Sequence, residues 1–189
     1  MMLKPISGVA MTLIGLSTSL MFPHLVMAEE ITCQGNLGAI TVDNVKVPQG
    51  KICTLKGTTV KGNIVVERSA TLNAIGAKVN GNIQAEGATL VDVNSSTTVG
   101  GSIQVKQGSA ARVVSTRITG DVQFESNSGR MVANQNQIGG NLQAFQNTGG
   151  VTIRQNRING NLQCKENNPS PTGGGNIVQG SKEDQCARL

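Results

Sequence analysis

Val60-Lys61-Gly62-Asn63-Ile64, Val79-Asn80-Gly81-Asn82-Ile83, Val99-Gly100-Gly101-Ser102-Ile103, Ile118-Thr119-Gly120-Asp121-Val122, Ile138-Gly139-Gly140-Asn141-Leu142 and Ile158-Asn159-Gly160-Asn161-Leu162 are one phrase written six times. The central glycines are 19, 20, 19, 20 and 20 residues apart. A period near 20 marks a solenoid, because a unit of that length cannot bury its apolar face alone and must stack on its neighbours. After each glycine the residues alternate, as in Ile83-Gln84-Ala85-Glu86 and Val122-Gln123-Phe124-Glu125. Period two is the signature of a half-buried strand.

A second alternating piece follows in each unit (Leu72-Asn73-Ala74, Val91-Asp92-Val93, Val151-Thr152-Ile153), and a third, shorter one leads into the next glycine. Three short strands per turn predict an all-β chain, a single-stranded parallel β-helix with about 20 residues per coil. The handedness of parallel crossovers makes right-handed coiling the expectation. A leucine-rich repeat has a similar period but needs a Leu-x-x-Leu-x-Leu pattern that is not present. The register predicts three inward rows. They are Val60, Val79, Val99, Ile118, Ile138, Ile158; then Ile64, Ile83, Ile103, Val122, Leu142, Leu162; then Val66, Ala85, Val105, Phe124, Ala144, Cys164.

Working outward, residues 1–28 read as a secretory signal peptide, with Lys4 ahead of an apolar stretch from Val9 to Met21 and Val26-Met27-Ala28 at the cleavage site. The apolar stretch is short of the ~20 residues that cross a bilayer, so the expected product is secreted or periplasmic, with no membrane insertion after cleavage. Residues 29–189 then form one solenoid domain. Within it, 29–59 supply N-terminal coils and a cap, where Val45-Lys46-Val47-Pro48 interrupts the pattern. Residues 60–166 are the regular coils, and 167–189 are an irregular capping segment.

The chain has 189 residues, only 2% aromatic and 14% charged, with no Trp or Tyr. That speaks against stacking platforms for sugars or bases. Cleavage removes the only histidine, His24, which excludes Ser-His-Asp and Cys-His nucleophiles and histidine-ligated metal from the mature chain. Losing Lys4 leaves 15 basic against 11 acidic residues, a net charge of +4.

Cys33 and Cys53 are 20 residues apart, one repeat, and so stack on adjacent coils; Cys164 and Cys186 are 22 apart, with the loop 167–175 absorbing the difference. An even number of cysteines in an exported chain reads as disulfides, and the expected pairs are Cys33–Cys53 and Cys164–Cys186. Each would pin a terminal coil whose open edge otherwise invites end-to-end association.

The glycine phrases, the run Asn159-Gly160-Asn161-Leu162-Gln163-Cys164-Lys165-Glu166-Asn167-Asn168-Pro169 and the closing Gly173-Gly174-Gly175-Asn176 with Gly180 and Cys186 resemble a family of exported bacterial β-helix proteins. The likeness spans residues 31–189 and implies fold and compartment, since that family has no established activity. The coils are also similar to those of bactofilins, which form cytoskeletal polymers. The signal peptide and the four cysteines depart from that pattern and count against filament formation.

Candidate chemistry is sparse. Asn63, Asn82, Ser102, Asp121, Asn141 and Asn161 form a polar corner, attributed to local turn hydrogen bonds and unusual φ. Axial bonding between stacked amides is a further option. Gln84, Gln104, Gln123, Gln143 and Gln163 form an outward stripe. Glu67 and Glu86 fall side by side at about the ~5 Å separation of retaining glycosidases, where repulsion raises one pKa. They stand beside turns on a convex face without a cleft, however, and Lys106 next to them reads as ordinary charge pairing. Asp43, Asp92, Asp121 and Asp184 fall in different registers. No catalytic residue, cofactor or metal site is assigned.

Lys78, Arg117 and Arg157 recur on every second coil, as a line of charges ~10 Å apart, with Arg130 and Arg154 on a neighbouring face. The expectation is therefore a non-enzymatic structural or surface-associated solenoid. The alternative is a binding module that engages carbohydrate or an anionic polymer of the cell envelope or exterior through a basic, Gln-rich face, with no specific nucleic acid.

Overall fold

The computed structural model describes residues 29–189; the expected signal peptide lies outside the described residues. Among them the regular elements are all strands, which wind through about eight turns and stack into three parallel sheets. Sheet A has nine strands, from Glu30–Thr32 to Lys182–Asp184, and holds the strand that follows each key glycine. Sheet B has eight, from Gly35–Leu37 to Thr172–Gly174, and sheet C has eight two-residue strands, from Thr41–Val42 to Ile177–Val178. The chain runs A to B to C and back to A one coil higher.

All three predicted inward rows are buried and in register, for example Ile83 on Ile103 on Val122 on Leu142 on Leu162. Sheet B adds two more, Leu72, Val91, Ala111, Met131, Val151 and Ala74, Val93, Val113, Ala133, Ile153. Such columns are apolar all the way along, as a parallel sheet closed off from water requires. In the third row Phe124, the largest buried side chain, stands between Val105 and Ala144.

The glycine phrase has a steric cause. At the corner between sheets C and A, each polar side chain accepts a hydrogen bond from the backbone N–H one coil on. Asn44 Oδ1 takes Asn63 N–H, Asn63 Oδ1 takes Asn82, and Asn82 Oδ1 takes Ser102, each at 2.8 Å. Ser102 Oγ, Asp121, Asn141 and Asn161 continue to Ser181 N–H. The accepting oxygen fills the space where the next key residue would carry a Cβ: at Gly81, Gly101, Gly120, Gly140 and Gly160 that atom would overlap the side-chain oxygen of the coil below. Local turn bonding and unusual φ are therefore not what the corner asparagines do; the bonding is axial. Asp43 occupies the glycine position of the second coil, where the chain below offers only the Glu29 carbonyl to Asn44 N–H.

Unusual φ belongs to the other two corners. Ser115, Gln135 and Gln155 leave sheet B, and Gln107, Ser126, Gln146 and Glu166 leave sheet A, with φ between 52° and 57°. Behind them come residues turned inward. Asn127, Asn147 and Asn167 form one buried column, and Thr116, Asn136, Asn156 and Asn176 form another. The amides bond along each column and to the backbone. Asn147 Oδ1 accepts Asn127 N–H (3.1 Å) and Asn127 Nδ2 (2.9 Å), while Asn147 Nδ2 donates to Phe124 O (2.9 Å) and Asn167 Oδ1 (2.9 Å). At the top Gln185 Oε1 accepts Asn167 N–H (2.9 Å) and Gln185 Nε2 donates to Asn167 O (2.9 Å), standing in for a further asparagine.

Both terminal regions are more regular than the sequence suggests. Val45-Lys46-Val47 is no interruption: Asn44–Val47 is a sheet A strand with Val45 on Ile64 and Val47 on Val66, both fully buried. Likewise 167–184 is one more coil rather than an irregular cap, and only the turn from Gln185 to Leu189 closes the end. Gly173 adds a strand residue there because a Cβ would overlap the Ile153 carbonyl.

Both expected disulfides are present, with Cα separations of 5.5 Å for Cys33–Cys53 and 5.2 Å for Cys164–Cys186. The stacking reason for them is corrected. The first coil is short, with Glu30 in register with Asn44 and Gly35 with Cys53. Cys33, just after sheet A, therefore crosses to a sheet B position. At the other end the coil keeps 20 residues, Cys164 lying on Asp184. The extra two residues are Gln185 and Cys186 itself, not a bulge in 167–175.

Candidate functional site

The outer face of sheet C carries the line of cations. Lys78 pairs with Thr98, Thr98 with Arg117, Arg117 with Gln137 and Gln137 with Arg157. Cationic and neutral positions thus alternate, and the charges recur about 10 Å apart. All three cations are exposed, and none belongs to an ion pair among the described residues. A second outward position on the same face reads Lys61, Asn80, Gly100, Thr119, Gly139, Asn159 and Gln179, as the coil-to-coil hydrogen bonds of these residues show. The acids that border this side are Asp43, at its lower end, which Lys61 neutralises at 2.8 Å, and Asp121, at the corner with sheet A, whose Oδ1 accepts the Asn141 N–H. Among the described residues the sheet C strands themselves carry no carboxylate from Lys78 upward.

Gly139 has no side chain because its Cβ would overlap the Thr119 carbonyl. The dent it leaves becomes a shallow cleft of about 260 Å³, flanked by Arg117 and Arg157 and floored by Thr119, Gln137 and Asn159. Two guanidiniums and neutral hydrogen-bonding groups, with no acid among them, are chemistry suited to an anion that also carries hydroxyls. Arg154 lies on sheet B, and Arg130 immediately precedes the sheet B strand Met131–Asn134, away from this row.

Glu67 and Glu86 follow the paired residues Val66 and Ala85 on adjacent sheet A strands. Glu67 bonds Lys46 at 2.7 Å and accepts Gln49 N–H at 2.9 Å, and these two contacts, the ammonium first, hold its carboxyl below the ordinary range. The anticipated rise through Glu86 is therefore reversed. Lys106 is in register with Glu86 but bonds Glu125 at 2.8 Å. The surface there is not convex throughout: Val65, Glu67, Arg68, Gln84, Glu86 and Lys106 line an open groove of about 720 Å³.

The Gln stripe is a hydrogen-bonded chain. Gln104 donates to Gln123 (2.9 Å), Gln123 to Gln143 (3.0 Å), Gln143 to Gln163 (2.8 Å) and Gln163 to the Glu183 carboxylate (2.7 Å). Each of these amides gives one N–H to the next, and only Gln84 stands outside the chain. The sequence shows where these glutamines point but not that they bond to one another along the axis. Among the described residues no three His, Cys, Asp or Glu side chains gather in metal-binding geometry. Asp92 bonds Arg112 at 3.1 Å and Asp121 serves the corner ladder.

Comparison with protein-family models, with curated proteins and with solved structures finds no match to this chain.

Proposed function

We propose that this chain is exported and works as a non-enzymatic, rigid structural element at the cell surface or in the envelope. The two disulfides at the ends of the column carry this reading. Paired cysteines persist in oxidising compartments, and here they tie down the two coils that have a neighbour on one side only. The resemblance to exported β-helix proteins points the same way.

The test is expression with the leader intact. The protein is expected outside the cytoplasm, beginning at Glu29, with no thiol open to alkylation. Reduction is expected to lower its unfolding free energy by about 3 kcal/mol per bridge, the value for loops of this length. Full-length protein in the cytoplasm with four reactive thiols overturns export. Release of reducing ends from envelope polysaccharides by the purified protein overturns the non-enzymatic role.

The cleft on sheet C between Arg117 and Arg157, with no acid in its lining, favours a second reading, a surface that holds an anionic polymer or carbohydrate. Its partner would be an extracellular or envelope polysaccharide, bound through Lys78, Arg117 and Arg157.

A further inference from the structure

We infer that sheet C binds an acidic polysaccharide bearing one anionic group per disaccharide, laid along the solenoid axis with Arg117 and Arg157 taking successive anions. This rests on the second reading above and specifies its ligand.

Three observations carry it. The cations occur on alternate strands, so their spacing is two strand separations, about 10 Å. An extended glycan charged once per disaccharide repeats on that scale, whereas a polymer charged on every residue leaves half its anions opposite neutral side chains. Next, the intervening positions are not filler of one kind. Thr98, Thr119, Gln137 and Asn159 present hydroxyl and amide groups, which pair with sugar hydroxyls. Finally, the cleft between Arg117 and Arg157 contains no carboxylate, the one bordering acid above Asp43 among the described residues being Asp121, whose Oδ1 is bonded to Asn141 N–H, while the outer faces of sheets A and B neutralise Glu67, Glu125 and Asp92 with Lys46, Lys106 and Arg112. An unpaired, evenly spaced row on one side of a rigid column is electrostatically complementary to an extended polyanion and to little else. Single-stranded nucleic acid would want aromatic side chains to stack on, and this face has none.

The experiment titrates the oxidised chain, residues 29–189, with three labelled probes at low salt. These are a hyaluronan octasaccharide, charged once per disaccharide; a polygalacturonate fragment, charged on every residue; and single-stranded DNA. The expected result is salt-sensitive binding that is tightest for hyaluronan. Arg117→Gln with Arg157→Gln should weaken it about tenfold. Arg130→Gln with Arg154→Gln removes the same charge from the sheet B side and should change it less than about twofold. All four arginines are exposed, so an unchanged thermal midpoint confirms that each variant is folded.

Equal losses in the two double variants overturn the row. Tighter binding of polygalacturonate or DNA that still depends on Arg117 and Arg157 overturns the once-per-disaccharide ligand and leaves the anionic-polymer surface standing. Binding of none of the three overturns both.

Discussion

The lower and upper halves of this column hold the same coil by different means. All four ion pairs among the described residues lie between Asp43 and Glu125. There the inward corners are filled by small or hydroxylated side chains: Thr58, Ala70, Ala77, Ala88, Thr97 and Thr116. From Asn127 upward no ion pair occurs among the described residues, and the same corners are taken by stacked amides, with two more amide chains outside (Gln135 to Gln155, Gln146 to Glu166). One repeat length therefore tolerates two solutions. Exposed ion pairs contribute little and fade with salt. A buried amide ladder is neutral and insensitive to salt, but every member depends on the next.

The sharpest way to break that contrast is to remove one rung from each half. Asn147→Ala strips partners from Asn127 N–H, Asn127 Nδ2, Phe124 O and Asn167 Oδ1, and should cost about 4 kcal/mol in urea unfolding. Thr97→Val, which deprives Ala77 N–H of its 3.2 Å acceptor, should cost about 1.5 kcal/mol. Equal losses would mean the amide columns add nothing to the stacking itself.

Acid separates the halves with a smaller effect. The Asp43 carboxyl is held low by its hydrogen bond from Lys61, then by Glu29 N–H, and Glu67 by Lys46, then by Gln49 N–H. A depressed carboxylate stabilises the fold above its unfolded pKa and loses that contribution as pH falls through the folded value. Lys46, raised by its bond to Glu67, contributes fully below its unfolded pKa and loses that only as pH climbs through the higher folded value. Hydrogen-exchange protection factors, corrected for the intrinsic rate at each pH from 7 to below 4, should therefore fall first at Val45, Lys61 and Glu67, with Asn147 and Asn167 protected to lower pH. A uniform fall in protection along the column would erase the distinction.

The aliphatic rows were legible because Val, Ile and Leu return to one position in every coil, and a period of 20 fixes the register without any knowledge of the turns. The inward asparagines were not. Asn127, Asn147 and Asn167 follow residues that leave the strand, and asparagine beside a turn reads as exposed; only the axial hydrogen bonds make its burial affordable. Pro48 and the run Gly173-Gly174-Gly175 read as breaks for the same reason, since local composition carries no trace of the neighbouring coil that supplies the missing partner. The cation row was fully legible because it needs register alone. The acid-free cleft between Arg117 and Arg157 was not, because that depends on which side chains the coils bring together around Gly139.

The finest adjustment concerns the left-handed corners. Ser69 (φ 58°) occupies the position that Gly50 (φ 69°) fills one coil below, where Gly50 N–H donates to Arg68 O. Ser69→Gly relieves the left-handed cost against a looser unfolded chain, and should stabilise the lower half by about 0.5 kcal/mol in the same urea assay. A loss instead would show that the hydroxyl does more at that turn than the backbone suggests.

Gln185 occupies the next rung of one amide column. Its amide takes the place that the asparagine of a further coil would occupy, so a residue of the turn imitates the repeat. Another molecule arriving at this end meets a rung already in use, and would have to evict a side chain of the host before adding its own. The device that lets identical units pile up thus also lets a residue of the same chain cover the last described rung.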